Sequence, residues 1–331
     1  MLSPNIFTVA LAGIVAIARA KNVAYAPSCA LRVESHINAG LSFNMVSSLI
    51  IGKQAAVLID MPLAIPEAKS LADWVKKVTD KPLIAVFTTH FHPDHYLSGG
   101  AFLAEFPSAK YYANSKAIAS MKLEAANQVA VWQAAYGEAQ VVANTSLPEA
   151  YDFTFFTLPG DEDTPIELLS PLTGDTVDET LFWIPSIKTL IAGDSIYSHE
   201  LHMWLADLQT PELTTSWLST LGFIEQLKPA TTIAGHSLTV EGITSTQNLN
   251  FARAYVTFWQ KNIESKGPNF YTPEEIFNKF NQAFPGRVQN SVSNLLLNFT
   301  SEQHGRGGTR ANRGVNLTAY DDIKVLNGWL F

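Results

Sequence analysis

The stretch Thr89-His90-Phe91-His92-Pro93-Asp94-His95 constrains this chain more than any other. It sets three imidazoles and one carboxylate within six consecutive positions. Those groups hold zinc or iron while leaving a coordination position open. Residues 83–88 before it are apolar on both faces and read as a buried strand. Alternate residues of an extended chain point to the same side, so His90 and His92 can share one metal. Asp94 and His95 follow the turn at Pro93 and can face a second metal close by. A solvated histidine loop would not need this spacing.

Composition narrows the rest. The chain has 331 residues, 47% of them apolar and 16% charged, with Lys+Arg 22 against Asp+Glu 30 and a net charge of −8. A typical chain carries about 25% charged residues, and disorder needs the opposite balance. The length suits one large domain or two small ones. The absence of a basic stripe argues against nucleic acid and against anionic membrane surfaces. Cys29 is the one cysteine, which leaves no intrachain disulfide and no Cys-based zinc knot.

Residues 6–18 form an apolar run too short to span a bilayer comfortably. Ala18-Arg19-Ala20 then gives the A-x-A pattern of a secretory cleavage site. The expectation is a signal peptide over residues 1–20, a mature start near Lys21, and a secreted protein with no membrane contact after removal. An apolar N-terminal element of a cytoplasmic protein is the alternative. Sequons at Asn144, Asn298 and Asn316 favour export.

Periodicity and turn chemistry lay out the elements. A hairpin is expected over 46–51 and 55–59, helices over 67–79, 101–106 and 115–136, and a strand over 109–113. Short strands follow at 153–157, 166–170, 180–184, 189–192 and 231–234, with a helix over 212–227. Helices over 246–263, 273–284 (capped by Thr272) and 288–299 close the chain. The Gly/Arg-rich residues 305–314 read as loose. Interleaved strands and helices give an α/β or α+β class with layered sheets.

The H-x-H-x-D-H run after an apolar strand resembles the signature of the metallo-β-lactamase-fold hydrolases. Val57-Leu58-Ile59-Asp60 resembles the strand and aspartate that precede it. Ala192-Gly193-Asp194 resembles the strand end whose aspartate bridges two metals, and Ala234-Gly235-His236 the segment whose histidine completes the second site. Read alone, Asp194 is as good a turn residue and His236 as good a packing histidine. The resemblance covers about residues 30–265. It implies a four-layer αββα sandwich with the metals at one edge between two sheets, followed by a helical C-terminal extension over 266–331. The implied metal ligands are His90, His92, Asp94, His95, Asp194 and His236, with Asp60 steadying the histidine loop.

One piece departs from the pattern. The family sets a further histidine in a G-H-T context before the bridging aspartate. Here Thr173-Gly174-Asp175-Thr176 stands there, and no histidine occurs between His95 and His199. Three readings compete. Asp175 supplies an oxygen ligand, the first choice; His199 or His202 enters instead; or one metal is held by Asp94, His95, Asp194 and His236. His202 also matches, less closely, a family histidine that donates a proton or touches substrate. Phe91, Tyr96, Tyr197, Trp204 and Trp217 either wall an apolar pocket or pack the core.

The cofactor expected is zinc, one or two ions, with manganese or iron acceptable. Paired cations lower the pKa of a water and polarise a carbonyl, and no G-x-S-x-G elbow offers another nucleophile. The reaction expected is hydrolysis of an activated acyl bond by metal-bound hydroxide, with Asp94 orienting it. The first substrate class is a lactam or lactone of a small, largely apolar compound. A thioester is second, and a decayed site that only binds is third.

Overall fold

The computed structural model describes residues 31–311 and 313–319. The expected signal peptide, the start near Lys21 and Cys29 lie outside the described residues. Among the described residues the strands are β1 (Arg32–Asn38), β2 (Met45–Ile51), β3 (Ala56–Ile59), β4 (Leu83–Phe87), β5 (Lys110–Ala113), β6 (Glu149–Ala150), β7 (Phe155–Phe156), β8 (Ile166–Leu172), β9 (Glu179–Ile184), β10 (Thr189–Ile191) and β11 (Thr231–Ile233). The helices are α1 (Ile65–Val78), α2 (Gly99–Leu103), α3 (Ser115–Tyr136), α4 (Pro211–Leu227), α5 (Val240–Ile243), α6 (Asn248–Asn262), α7 (Pro273–Ala283) and α8 (Ser291–His304).

Two sheets form, in the orders β1-β2-β3-β4-β5-β6 and β11-β10-β9-β8-β7. Period-2 patterning explains the layers, because successive strand side chains face opposite sides. In β3, Val57 and Ile59 join the apolar core between the sheets, while Ala56 and Leu58 face the outer helices. In β9, Phe182 and Ile184 face the inner core, and Leu181 and Trp183 face outward. Both faces of each central strand are therefore apolar, and helices cover the outsides. This is the αββα sandwich that the resemblance implied.

Strand directions gather several chain ends at one edge. β3 runs parallel to β4, and β10 parallel to β11, while β9 is antiparallel to β10. The ends of β3, β4, β10 and β11 and the start of β9 therefore lie together. The two sheets are stitched there: Val46 N–H donates to Gly235 O at 2.7 Å, and Thr180 N–H to Thr89 O at 2.8 Å.

Three expectations change. β1 was not foreseen, since its RVESHIN sequence is polar and its residues are mostly part-exposed at a sheet edge. α2 starts at Gly99, where a Cβ would lie 2.5 Å from the Met61 methyl, so close packing selects glycine there. Residues 305–310 of the stretch read as loose are held in place. Arg306 N–H donates to Tyr271 O at 2.7 Å, and Arg310 binds Asn269 Oδ1 at 3.0 Å and Gly305 O at 2.7 Å.

The C-terminal helices share the domain's core. Thr272 and Glu275 form the capping box of α7. Phe280 of α7 is fully buried, with its ring 4.7 Å from that of Tyr255 in α6. Ser293 and Thr300 of α8 accept the N–H groups of His202 and Leu205 at 2.7 and 3.0 Å. No helix among the described residues is long and apolar enough to cross a membrane. Phe280→Ala should cost about 3–5 kcal/mol. Denaturant unfolding followed by far-UV circular dichroism should show one earlier transition; a separate early phase would make the C-terminal helices an independent unit.

Candidate metal centre

Asp60 ends β3 at φ +66°, a left-handed conformation that aspartate tolerates better than branched residues. Its carboxylate accepts Thr89 N–H at 2.7 Å and the Thr89 hydroxyl at 2.8 Å. Pro93 opens a tight turn and keeps His92 extended (φ −68°, ψ 140°). His90 and His92 thus reach one place, and Asp94 and His95 turn toward another.

The structure brings two groups of ligand atoms together. His90, His92, Asp175 and Asp194 form the first, with their ligand atoms within 4.8 Å of one another. Asp94, His95 and His236 form the second. Asp194 reaches both: its Oδ1 is 3.3 Å from His95 Nε2 and its Oδ2 3.1 Å from His236 Nε2. In the first group His92 Nδ1 lies 3.4 Å and His90 Nε2 3.9 Å from Asp175. In the second, His236 Nε2 lies 3.3 Å from Asp94.

Each histidine is anchored through its other nitrogen. His95 Nδ1 is 2.9 Å from Asp60 Oδ2, His236 Nδ1 2.9 Å from Phe43 O, His90 Nδ1 2.9 Å from Thr89 Oγ1, and His92 Nε2 3.0 Å from Asp207 Oδ2. Such partners set tautomer and ring orientation and aim the free nitrogen inward. Gly235 lets the strand ends close up, because a Cβ there would lie 2.0 Å from Asp194 Oδ1.

The fit to cations follows from what is left unpaired. His90 Nε2, His95 Nε2, His236 Nε2, Asp175 Oδ1 and Asp194 Oδ1 are buried and make no hydrogen bond. Buried polar atoms are normally satisfied. Here the orphans converge, each able to give a divalent ion a lone pair once any proton on it is displaced. Electrostatics agree. Burial resists charge on His236, but Asp194 and Asp94 outweigh it and raise its pKa to about 10. Burial raises Asp175 to about 6 against the pull of His92.

Three further residues brace the centre. The Tyr197 hydroxyl lies 2.7 Å from Asp175 Oδ2 and 2.6 Å from Asp194 Oδ2, so it donates to one carboxylate at a time. Glu179 is buried, accepts the Ser195 hydroxyl at 2.6 Å, and has its pKa raised well above the carboxylate range by burial and by Asp175. Asp207 accepts from His92 and from the Thr176 hydroxyl at 2.7 Å.

Asp175 therefore stands where the missing imidazole was expected. His199 and His202 are in neither group. His199 bonds Asn248, and His202 Nδ1 lies 3.0 Å from the Tyr255 hydroxyl. Burial, with Arg287 nearby, lowers the His202 pKa to about 3. Of the aromatics, Phe91, Tyr96 and Trp217 are core residues, whereas Tyr197 reaches the ligands through its hydroxyl. Sequence reading missed Glu179, Asp207 and Arg313. Asp207 had one available signal, a lone acidic residue inside an apolar stretch.

Buried imidazole and carboxylate groups arranged as two touching sets at the edge of an αββα sandwich define a metal-dependent hydrolase class. The family model for the metallo-beta-lactamase superfamily matches residues 42–236. The chain belongs to that superfamily. The metallo-beta-lactamase IND-1 of Chryseobacterium indologenes is 25% identical over 160 residues, 48% of this chain and 58% of that relative, so the match spans little more than half of the relative's length. Among solved structures, a metallo-beta-lactamase from Pontibacter korlensis has 18% identity and a TM-score of 0.43, covering 64% of this chain and 87% of that one. The metallo-beta-lactamase DIM-1 exposed to ceftazidime has 19% identity and a TM-score of 0.45, covering 69% and 97%.

Asp175→Asn keeps the side-chain size and removes the charge, so bound metal should fall toward one ion per chain with the fold intact. Elemental analysis of the purified variant reads this; an unchanged metal content would leave Asp175 a turn residue. A second expectation concerns pH. With its pKa near 10 in the metal-free protein, His236 holds a proton at neutral pH that a metal must displace. Apparent affinity at the second group should therefore rise with pH from 7 to 10, by up to about tenfold per unit. Chelator competition at several pH values tests it, and a flat profile would contradict it.

Proposed function

We propose that this protein hydrolyses the lactam or lactone ring of a small, largely apolar compound. The carrying observation is the convergence of unpaired, buried ligand atoms into two groups that share Asp194. Divalent cations held there would supply an ionised water at neutral pH and Lewis acidity toward a carbonyl. His90, His92, Asp175 and Asp194 would hold one ion, and Asp94, His95, His236 and Asp194 the other. Zinc suits the imidazoles, and the extra carboxylate widens acceptance to manganese or iron.

The Asp94 side chain is 14% exposed, against 7% or less for the other ligands. Asp94 thus faces the solvent side, where its carboxylate can orient a water or accept its proton. Tyr197 holds Asp175 and Asp194 in place from the interior.

Charge and shape favour a neutral, apolar substrate. Arg313, the cation beside His92, is already paired with Asp207 and Glu124, so its charge is not free for a phosphate. Trp204 lies with its ring 5.9 Å from His92 and 5.5 Å from the exposed Phe299. Together they supply apolar surface next to the first group.

A panel of lactams, lactones and thioesters tests the reading. Ring opening should vanish on exhaustive chelation and return with zinc, manganese or iron. His92→Ala and His95→Ala should each remove most activity, by a factor of about 100 or more. Turnover confined to thioesters would replace the substrate class. A purified protein without tightly bound metal, or activity that survives chelation, would defeat the reading.

A further inference from the structure

We propose that Arg313, on the segment after α8, is a positioning residue of the first metal group: it fixes Asp207, and Asp207 fixes His92. The inference rests on the two-group reading of the metal centre. It concerns a part of the chain beyond residues 42–236, the stretch matched by the family model.

The geometry is a buried chain of charges. Arg313 donates one terminal nitrogen to Asp207 Oδ1 and the other to Glu124 Oε2 at 3.2 Å. Glu124, on α3, is fully buried and also accepts from Gln128 at 3.1 Å. Asp207 accepts Trp204 Nε1–H at 3.2 Å, the Thr176 hydroxyl at 2.7 Å, and His92 Nε2–H at 3.0 Å. The side chains of Asp207 and Glu124 are 1% and 0% exposed, and that of Arg313 is 10% exposed.

A carboxylate this deep is costly unless a cation pairs with it. Arg313 supplies that cation, and its planar fork spans two carboxylates at once, which an ammonium cannot do. Arg313 and Asp207 thereby form a buried ion pair. The Asp207 carboxylate accepts the hydrogen bond from His92 Nε2–H, which leaves Nδ1 as the lone-pair nitrogen facing Asp175. Without Arg313, the Asp207 carboxylate would lose the partner that holds it in place, and His92 would lose its orientation.

The segment is built to deliver the guanidinium. Gly314 passes so close to α3 that a Cβ would lie 2.6 Å from Leu123 O. Val315 N–H reaches Glu124 Oε1 at 3.4 Å, and Leu317 is buried. The guanidinium lies 6.0 Å from the Trp204 ring centroid. A residue distant in sequence from every ligand therefore closes the network around one of them.

The test uses the full chain loaded with zinc, and its readout is metal binding rather than turnover. Site affinities are measured by competition with a chromophoric chelator, and the cobalt-loaded protein's visible spectrum reports the first group's geometry. Arg313→Met should weaken one of two ions by about 10–100-fold and leave the other nearly unchanged. Arg313→Lys should recover part of the loss. Circular dichroism confirms folding. Wild-type affinity at both sites in Arg313→Met, or equal weakening of both, would overturn the inference. If Arg313→Met does not fold, Glu124→Gln, which removes one anchor of Arg313, should weaken the same site to a smaller degree; unchanged affinity there would overturn the inference as well. A wild-type chain that binds no metal would instead defeat the reading beneath it.

Discussion

Seven buried or nearly buried imidazoles and carboxylates meet at one edge of this molecule, and the surrounding structure is arranged to hold them. Three carboxylates, Asp94, Asp175 and Asp194, sit among four histidine rings with little exposure to solvent. Such groups repel, lose hydration and leave lone pairs unmet unless cations balance them. Their aim toward common points explains why each histidine is tied at its far nitrogen, and why Tyr197 is wedged between two carboxylates.

The sandwich provides the positions. Parallel pairing of β3 with β4 and of β10 with β11 sends their ends to the same edge. The antiparallel pairing of β9 with β10 brings the start of β9 there as well. Ligands separated by more than a hundred residues thus meet because strand direction leaves them no other place. The apolar layers keep the backbone rigid beneath them. The bridge between Met45 and His236 and the bond from Val46 to Gly235 keep the two sheets from sliding at the site.

Around this frame the chain adds its own parts. α8 is sewn to the 202–205 segment, which leads directly into Asp207 and so to His92. Beyond α8, the chain returns to α3 and inserts Arg313 between Asp207 and Glu124. The helical C-terminal part is therefore joined to the candidate metal centre through charged groups as well as through the shared apolar core.

The sequence by itself determined the local facts. An apolar run followed by H-x-H-x-D-H identified the histidine loop, and i, i+2 geometry with Pro93 split its ligands between two groups. Apolar periodicity and caps located α1, α3, α4 and α7 to within a few residues, since those signals are local. β1 escaped because a half-exposed edge strand needs no apolar alternation. Only the tertiary structure decided the rest. Asp175 could be told from a turn residue only once its carboxylate stood beside His90 and His92, and His202 could be set aside as a replacement ligand only once its ring lay against Tyr255. Arg313 lay in a Gly/Arg-rich stretch whose composition reads as loose. Its partners Glu124 and Asp207 are 189 and 106 residues away, and a charge pair made across that distance leaves no trace in local sequence.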